Sequence, residues 1–234
     1  MTADVAWIAA CAALTAMLAA CGPSVIARLP EPVLDDDAGD KALYRDLATR
    51  QSLRLELATA GALTGAAVGW RLGGDLLAAV WVYLGAVGVI LAYVDARTRL
   101  LPTRIIAPSY GIVIFLILVS AAVERDASLL VRAAFGWAVM GGVYLLLWLV
   151  HPRGLGYGDV RLSGLLGIGL AGAGWGALAV GLYAGFLLGG VGGLVLIALR
   201  RTGQRSFPFG PAMLAGALVG VVWGARLASW YISR

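Results

Sequence analysis

The chain has 234 residues, 61% of them hydrophobic and only 13% charged, with a mean hydropathy of +0.88; an ordinary soluble domain carries about 25% charged residues. This excludes a soluble globular enzyme and leaves an all-α, polytopic transmembrane helix bundle, because apolar runs of about 17 to 25 residues recur between short charged or Gly/Pro-rich breaks. The net charge of +5 comes from arginines spread over loop ends, with no aromatic-studded groove or reader motif among them, so a lipid bilayer is the expected partner and nucleic acid is not.

In chain order, about eight spans are predicted: 5–22, 55–72, 76–95, 105–123, 129–150, 160–173, 175–199 and 211–231. The first span, residues 1–22, ends in Leu18-Ala19-Ala20-Cys21, which looks like a lipoprotein cleavage box. Met1-Thr2-Ala3-Asp4 lacks the positive start of a signal peptide, so the segment is read as a retained span. Its two cysteines, Cys11 and Cys21, have no CxxC partner and read as small apolar residues. Residues 23–54 form a cytoplasmic linker with a solvated acidic stretch (Glu31, Asp35, Asp36, Asp37, Asp40 and Asp46). From Asp40 to Leu57 the linker also has a reading as a surface helix running into the second span. Residues 55–234 make the remaining transmembrane core.

Orientation follows from the basic residues. Thirteen of the 18 lie in the linker, at 97–104, at Arg153 and Arg161, and at 200–205; the other side keeps Arg71, Arg125, Arg132, Arg226 and Arg234. Short Lys/Arg-rich loops stay in the cytoplasm, so these loops are cytoplasmic and both termini lie outside.

Once the linker acids, Glu56 at the junction of the linker with the second span, and the outer-end residues Asp4, Asp75, Glu124 and Asp126 are set aside, only Asp95 and Asp159 remain, both at the cytoplasmic edge of a span. Asp95 closes the third span, and Pro102 helps to start the next helix. Asp159 follows Gly156 and Gly158, which free the backbone for a tight turn and place it at the start of a helix. Turn and cap chemistry explains either aspartate alone but not their pairing on one face. Three glycine ridges, Gly61-Gly65-Gly69, Gly181-Gly185-Gly189-Gly193 and Gly216-Gly220-Gly224, suit close helix packing within the bundle.

The motifs resemble those of the prepilin peptidases, also called type IV leader peptidases, membrane aspartyl proteases of the GxGD type. The likeness rests on Gly156-Tyr157-Gly158-Asp159-Val160-Arg161-Leu162, on Asp95 followed by Leu101-Pro102 and Pro108, and on Phe207-Pro208-Phe209-Gly210-Pro211; together they cover roughly 76–231. The resemblance implies a catalytic pair, Asp95 and Asp159, supported by Gly156, Gly158, Arg161, Pro102, Pro208, Gly210 and Pro211. It implies no metal and no cofactor. The implied substrate is a type IV pilin-like precursor, cut after a glycine, with the site at the cytoplasmic face of a bacterial inner membrane. Two features depart from the pattern locally: Arg161 stands where many members have lysine, keeping the charge but not the shape, and Thr103 stands where Asn or Asp is common. Many members also carry a zinc-binding insert with paired CxxC motifs, associated with N-methylation, between the first two spans; residues 23–54 contain no cysteine. The expected form is therefore short, a peptidase that does not methylate.

Two neighbouring carboxylates do not easily both ionise, so the pair holds one proton and offers acid and base together. Other protease chemistries lack their residues: His151 is the sole histidine, Lys41 the only lysine, and neither GxSxG nor HExxH occurs. The alternative function is a small ion-coupled transporter using Asp95 and Asp159. Against it, the two aspartates sit at span ends and no internal repeat is visible. A structural membrane scaffold built on the glycine ridges is the third class.

Overall fold

In hydrocarbon a chain must satisfy its backbone polar groups internally, so long apolar segments fold as helices. The computed structural model describes residues 2–31, 43–152, 154–198 and 208–233. Among them the chain forms α1 (Thr2–Ala20), α2 (Gly22–Ile26), α3 (Tyr44–Ala48), α4 (Leu53–Leu72), α5 (Leu77–Thr98), α6 (Thr103–Glu124), α7 (Ala127–Val150), α8 (Tyr157–Ala173), α9 (Trp175–Ala198) and α10 (Gly210–Ile232). Every predicted span is a helix, but six stretches are long and apolar enough to cross a membrane: Asp4–Ile26, α5, α6, α7, Trp175–Val195 and α10. The other two fall short for different reasons. α4 carries Arg54, Glu56 and Arg71 in its 20 residues. α8 has only 17 residues, yet everything from Leu162 to Gly172 is buried, so it sits among other helices rather than against lipid.

Three antiparallel pairs build the bundle, each closed by glycines. Gly61, Gly65 and Gly69 of α4 lie against Thr15, Cys11 and Ile8 of α1; Gly136 of α7 meets Gly167 of α8; Gly181 of α9 meets Gly216 and Gly220 of α10. A side chain at any of these places except Gly181, whose added Cβ would meet the Leu170 side chain instead, would collide with a neighbouring backbone, so helices approach closely only because it is missing. The ridge reading holds except at its end, where Gly193 has nothing within 4 Å. α5 is the most buried of the membrane-crossing helices, and α6 connects it to the α7–α8 pair. Large apolar residues such as Phe115, Leu146, Leu187 and Leu194 face outward, as lipid contact requires.

In the linker, Asp35, Asp36, Asp37, Asp40 and Lys41 lie outside the described residues. The surface helix running into α4 is not formed. α3 has five residues, and the chain turns between Thr49 and Ser52 before α4 begins. Arg50 fixes the break by reaching Ser52 Oγ at 3.1 Å and Glu56 Oε1 at 2.8 Å. Glu31 holds the start of α3, accepting from the Tyr44 and Arg45 backbone N–H groups at 2.8 and 2.9 Å.

Candidate active site

The C-terminal ends of α5 and α7 and the N-terminal ends of α6, α8 and α10 meet at one end of the bundle. Asp95 lies in the last turn of α5, 4% exposed. Its Oδ2 accepts a 2.9 Å hydrogen bond from the N–H of Gly210, the first residue of α10, where helix N–H groups have no partner of their own. Gly210 has to be glycine for this contact, because a Cβ there would stand 2.7 Å from the same oxygen. One turn on, the Arg99 N–H donates to the Asp95 carbonyl at 2.8 Å, and Arg99 closes α5 in the left-handed region at φ 55°. The chain then reverses to Pro102, which adopts extended backbone and caps α6, as its place in the sequence predicts.

Asp159 is the third residue of α8, with Gly156 as the cap. Its Oδ2 accepts from the Gly156 N–H at 3.0 Å, so a first-turn carboxylate folds back on the amide that precedes its helix. Gly158 brings this turn against the loop that follows Asp95: a Cβ on it would lie 2.7 Å from Leu101 Cβ. Asp159 is 7% exposed, and its Oδ1 is buried without a hydrogen-bond partner among the described residues. Asp95 and Asp159 lie within electrostatic reach of each other. None of the described ion pairs involves either one.

The other expected site residues divide. Gly156, Gly158, Gly210 and Pro102 shape the pair directly. Pro208 and Pro211 are half-buried on either side of the Phe209–Gly210 turn, and Phe207 lies outside the described residues. Arg161 turns away from the carboxylates. It hydrogen-bonds Thr103 Oγ1, stacks on the Tyr157 ring at 4.6 Å, and its carbonyl accepts from the Tyr110 hydroxyl at 2.7 Å. The two local departures noted in the sequence, Arg161 and Thr103, are thus partners that tie α8 to α6. His151 is an exposed residue capping α7.

Two tyrosines escaped the sequence reading. Tyr44, on α3, is buried, and its phenol lies beside Thr98 within electrostatic reach of Asp95; burial pushes it up from the ordinary value. Tyr144, on α7, is fully buried, its ring 5.0 Å from Phe186 and 6.0 Å from Phe209. Nothing in the local sequence marks either. A tyrosine in a linker or in an apolar helix has no motif, and only the fold brings these two to the aspartates.

A model of the type IV leader peptidase family matches residues 82–196. The prepilin leader peptidase/N-methyltransferase of Aeromonas salmonicida is 32% identical over 148 residues, 62% of this chain and 49% of that protein. The protein of the same name from Pseudomonas aeruginosa is 30% identical over 188 residues, 76% of this chain and 60% of that protein. In Escherichia coli K12 another is 33% identical over 132 residues, 55% of this chain and 56% of its own length. The chain spans about half the length of the first of these relatives. No solved structure matches it. With six helices among the described residues able to cross a membrane, this is an integral membrane protein, and its residues 82–196, which carry both aspartates and the glycine turn, match the type IV leader peptidase family.

Proposed function

We propose that the chain is an aspartyl endopeptidase that removes the leader of type IV pilin-like precursors, with Asp95 and Asp159 as its catalytic pair. The observation that carries this is the meeting, at one end of the bundle, of two buried carboxylates from separate helices. Each is anchored through one oxygen to a backbone amide at a helix start, and Asp159 keeps its other oxygen unused. The anchors fix the carboxylates in place, and the free oxygen is available to water or substrate.

In the reaction the pair holds one proton. A water oxygen bonds to the scissile carbonyl carbon while its proton passes to the charged carboxylate, and the carbonyl π pair moves onto oxygen, facing the protonated partner. The C–N bond then breaks, the carbonyl re-forms, and the amine leaves with a proton from the pair. Residues 55–234 make up the peptidase core, 1–22 its first span and 23–54 a linker. The site faces the cytoplasm across a bacterial inner membrane, a placement supported by the basic loops at this end.

The relatives are also named N-methyltransferases. For this chain we infer cleavage without methylation, since 23–54 holds no cysteine for the zinc-binding insert of many family members. Co-expression with a type IV prepilin tests both parts: the precursor is shortened to begin after its leader glycine, and mass spectrometry finds a free, unmethylated amino terminus. An uncut precursor refutes the peptidase, and a methylated product refutes the restriction.

A further inference from the structure

We propose that the Tyr144 hydroxyl is a third functional group of this site, donating a hydrogen bond to the scissile carbonyl oxygen as that oxygen gains negative charge. The inference rests on the peptidase reading above. Tyr144 is 0% exposed and among the described residues its hydroxyl has no hydrogen-bond partner. Leaving such a group unpaired works against folding. The ring gives no reason for the hydroxyl, because phenylalanine would stack equally well on Phe186, 5.0 Å away and nearly parallel at 16°.

Three separate relations put the hydroxyl at the aspartates. The antiparallel register of α7 and α8 sets Gly136 against Gly167 and Gly141 against Gly164; three residues beyond Gly141, Tyr144 comes level with the first turn of α8, where Asp159 lies. From α9, a Cβ on Gly185 would be 3.7 Å from the Tyr144 hydroxyl and 3.5 Å from Met213 Cα on α10. Met213 is one turn below Gly210, which holds Asp95. Finally, Tyr144 lies within electrostatic reach of Asp159.

Two buried polar atoms on different helices are therefore left without protein partners: a donor, the Tyr144 O–H, and an acceptor, Asp159 Oδ1. A peptide carbonyl under attack by water needs both. The carboxylate oxygen takes the proton of the water, and the O–H meets the developing oxyanion. Tyr144 keeps its own proton throughout; the π pair that moves onto the carbonyl oxygen returns when the C–N bond breaks. The fixed donor lowers the barrier because it is already oriented before charge appears.

The test is Tyr144→Phe in the purified, reconstituted full chain, assayed on a prepilin beside wild type, Asp159→Asn and Tyr183→Phe, the last altering an exposed tyrosine on α9. Tyr144→Phe is expected to lower kcat by about 10²-fold with KM nearly unchanged, the mark of an interaction made in the transition state. Its Tm should equal or exceed that of wild type, since an unpaired polar group has been removed, and Tyr183→Phe should match wild type in both. Near-normal kcat in Tyr144→Phe with a dead Asp159→Asn overturns the proposal while the dyad stands. A raised KM alone, or a lowered Tm, also overturns it, by showing a seating or structural role. Activity in Asp159→Asn removes the peptidase reading beneath it.

Discussion

Gly210 holds Asp95 in the simplest possible way, with a bare backbone N–H and no room for anything else. Gly210→Ala puts a methyl group 2.7 Å from the carboxylate oxygen it should hold. The shift needed to relieve that contact, on the order of 1 Å, spoils a positioned attack by about 10²-fold. Prepilin cleavage by Gly210→Ala should fall by roughly that factor, with the amount of protein in the membrane unchanged on immunoblots; normal cleavage would mean the contact does not matter. At this scale the sequence is readable where charge is scarce. Asp95 and Asp159 stand out because few acids remain once the linker and outer ends are counted, Gly156 and Gly158 stand out as turn-makers, and Gly210 is marked only by the resemblance of its motif. What each amide does, and the arrival of Tyr144, depend on residues far apart in the chain. Arg161 shows the opposite limit. Its motif position suggests a part at the site, but its guanidinium is engaged with Thr103 and Tyr157.

Among elements, the α7–α8 pair sets the level of Asp159, because Gly136 and Gly167 let the two backbones touch. A Cβ on Gly136 would be 2.2 Å from the Gly167 carbonyl oxygen, so Gly136→Val forces the pair apart. Overpacking of this kind costs about 1–3 kcal/mol, and the variant in detergent should melt at a lower temperature and cleave less. Gly193→Ala, whose methyl group meets nothing within 4 Å, should melt like wild type. Helix positions were legible from apolar run lengths to within a few residues, and Pro102 marked the start of α6. The ridges on α4, α9 and α10 were legible as well. The Gly136–Gly167 contact was not, because neither glycine belongs to an i, i+4 run of glycines, so nothing marks them until the two helices are paired. The linker helix failed for a local reason: Arg50 binds Ser52 and Glu56 and holds a turn where periodicity alone continues a helix.

At the scale of the molecule, the order of helices along the chain does not reveal which ones pair, and the span count differs from the expected eight. Hydropathy assigns membrane crossing by length and composition, whereas α8 is short because protein surrounds it, and α4 tolerates charge at its ends. The basic loops predict which end faces the cytoplasm. On a cysteine-free background, single cysteines at Arg97 and His151, both exposed at the site end, should react with an impermeant reagent only from the cytoplasmic side. Cysteines at Asp75 and Arg125, exposed at the other end, should react only from outside. Labelling of Arg97 and His151 positions from opposite sides would separate the two aspartates and end the account.

The most direct measurement compares prepilin cleavage by Asp95→Asn, Asp159→Asn and the double variant, each at wild-type membrane levels. Asparagine keeps the shape and removes the proton exchange, so each single change should abolish processing. The double should be scarcely worse, because groups acting as one unit are grossly non-additive. Asp126→Asn is the control: Asp126 caps α7 through Ser128, at the far end of the bundle, and this variant should cut normally. Near-normal cleavage by a stably inserted Asp159→Asn would contradict the account, leaving the aspartate a helix cap and nothing more.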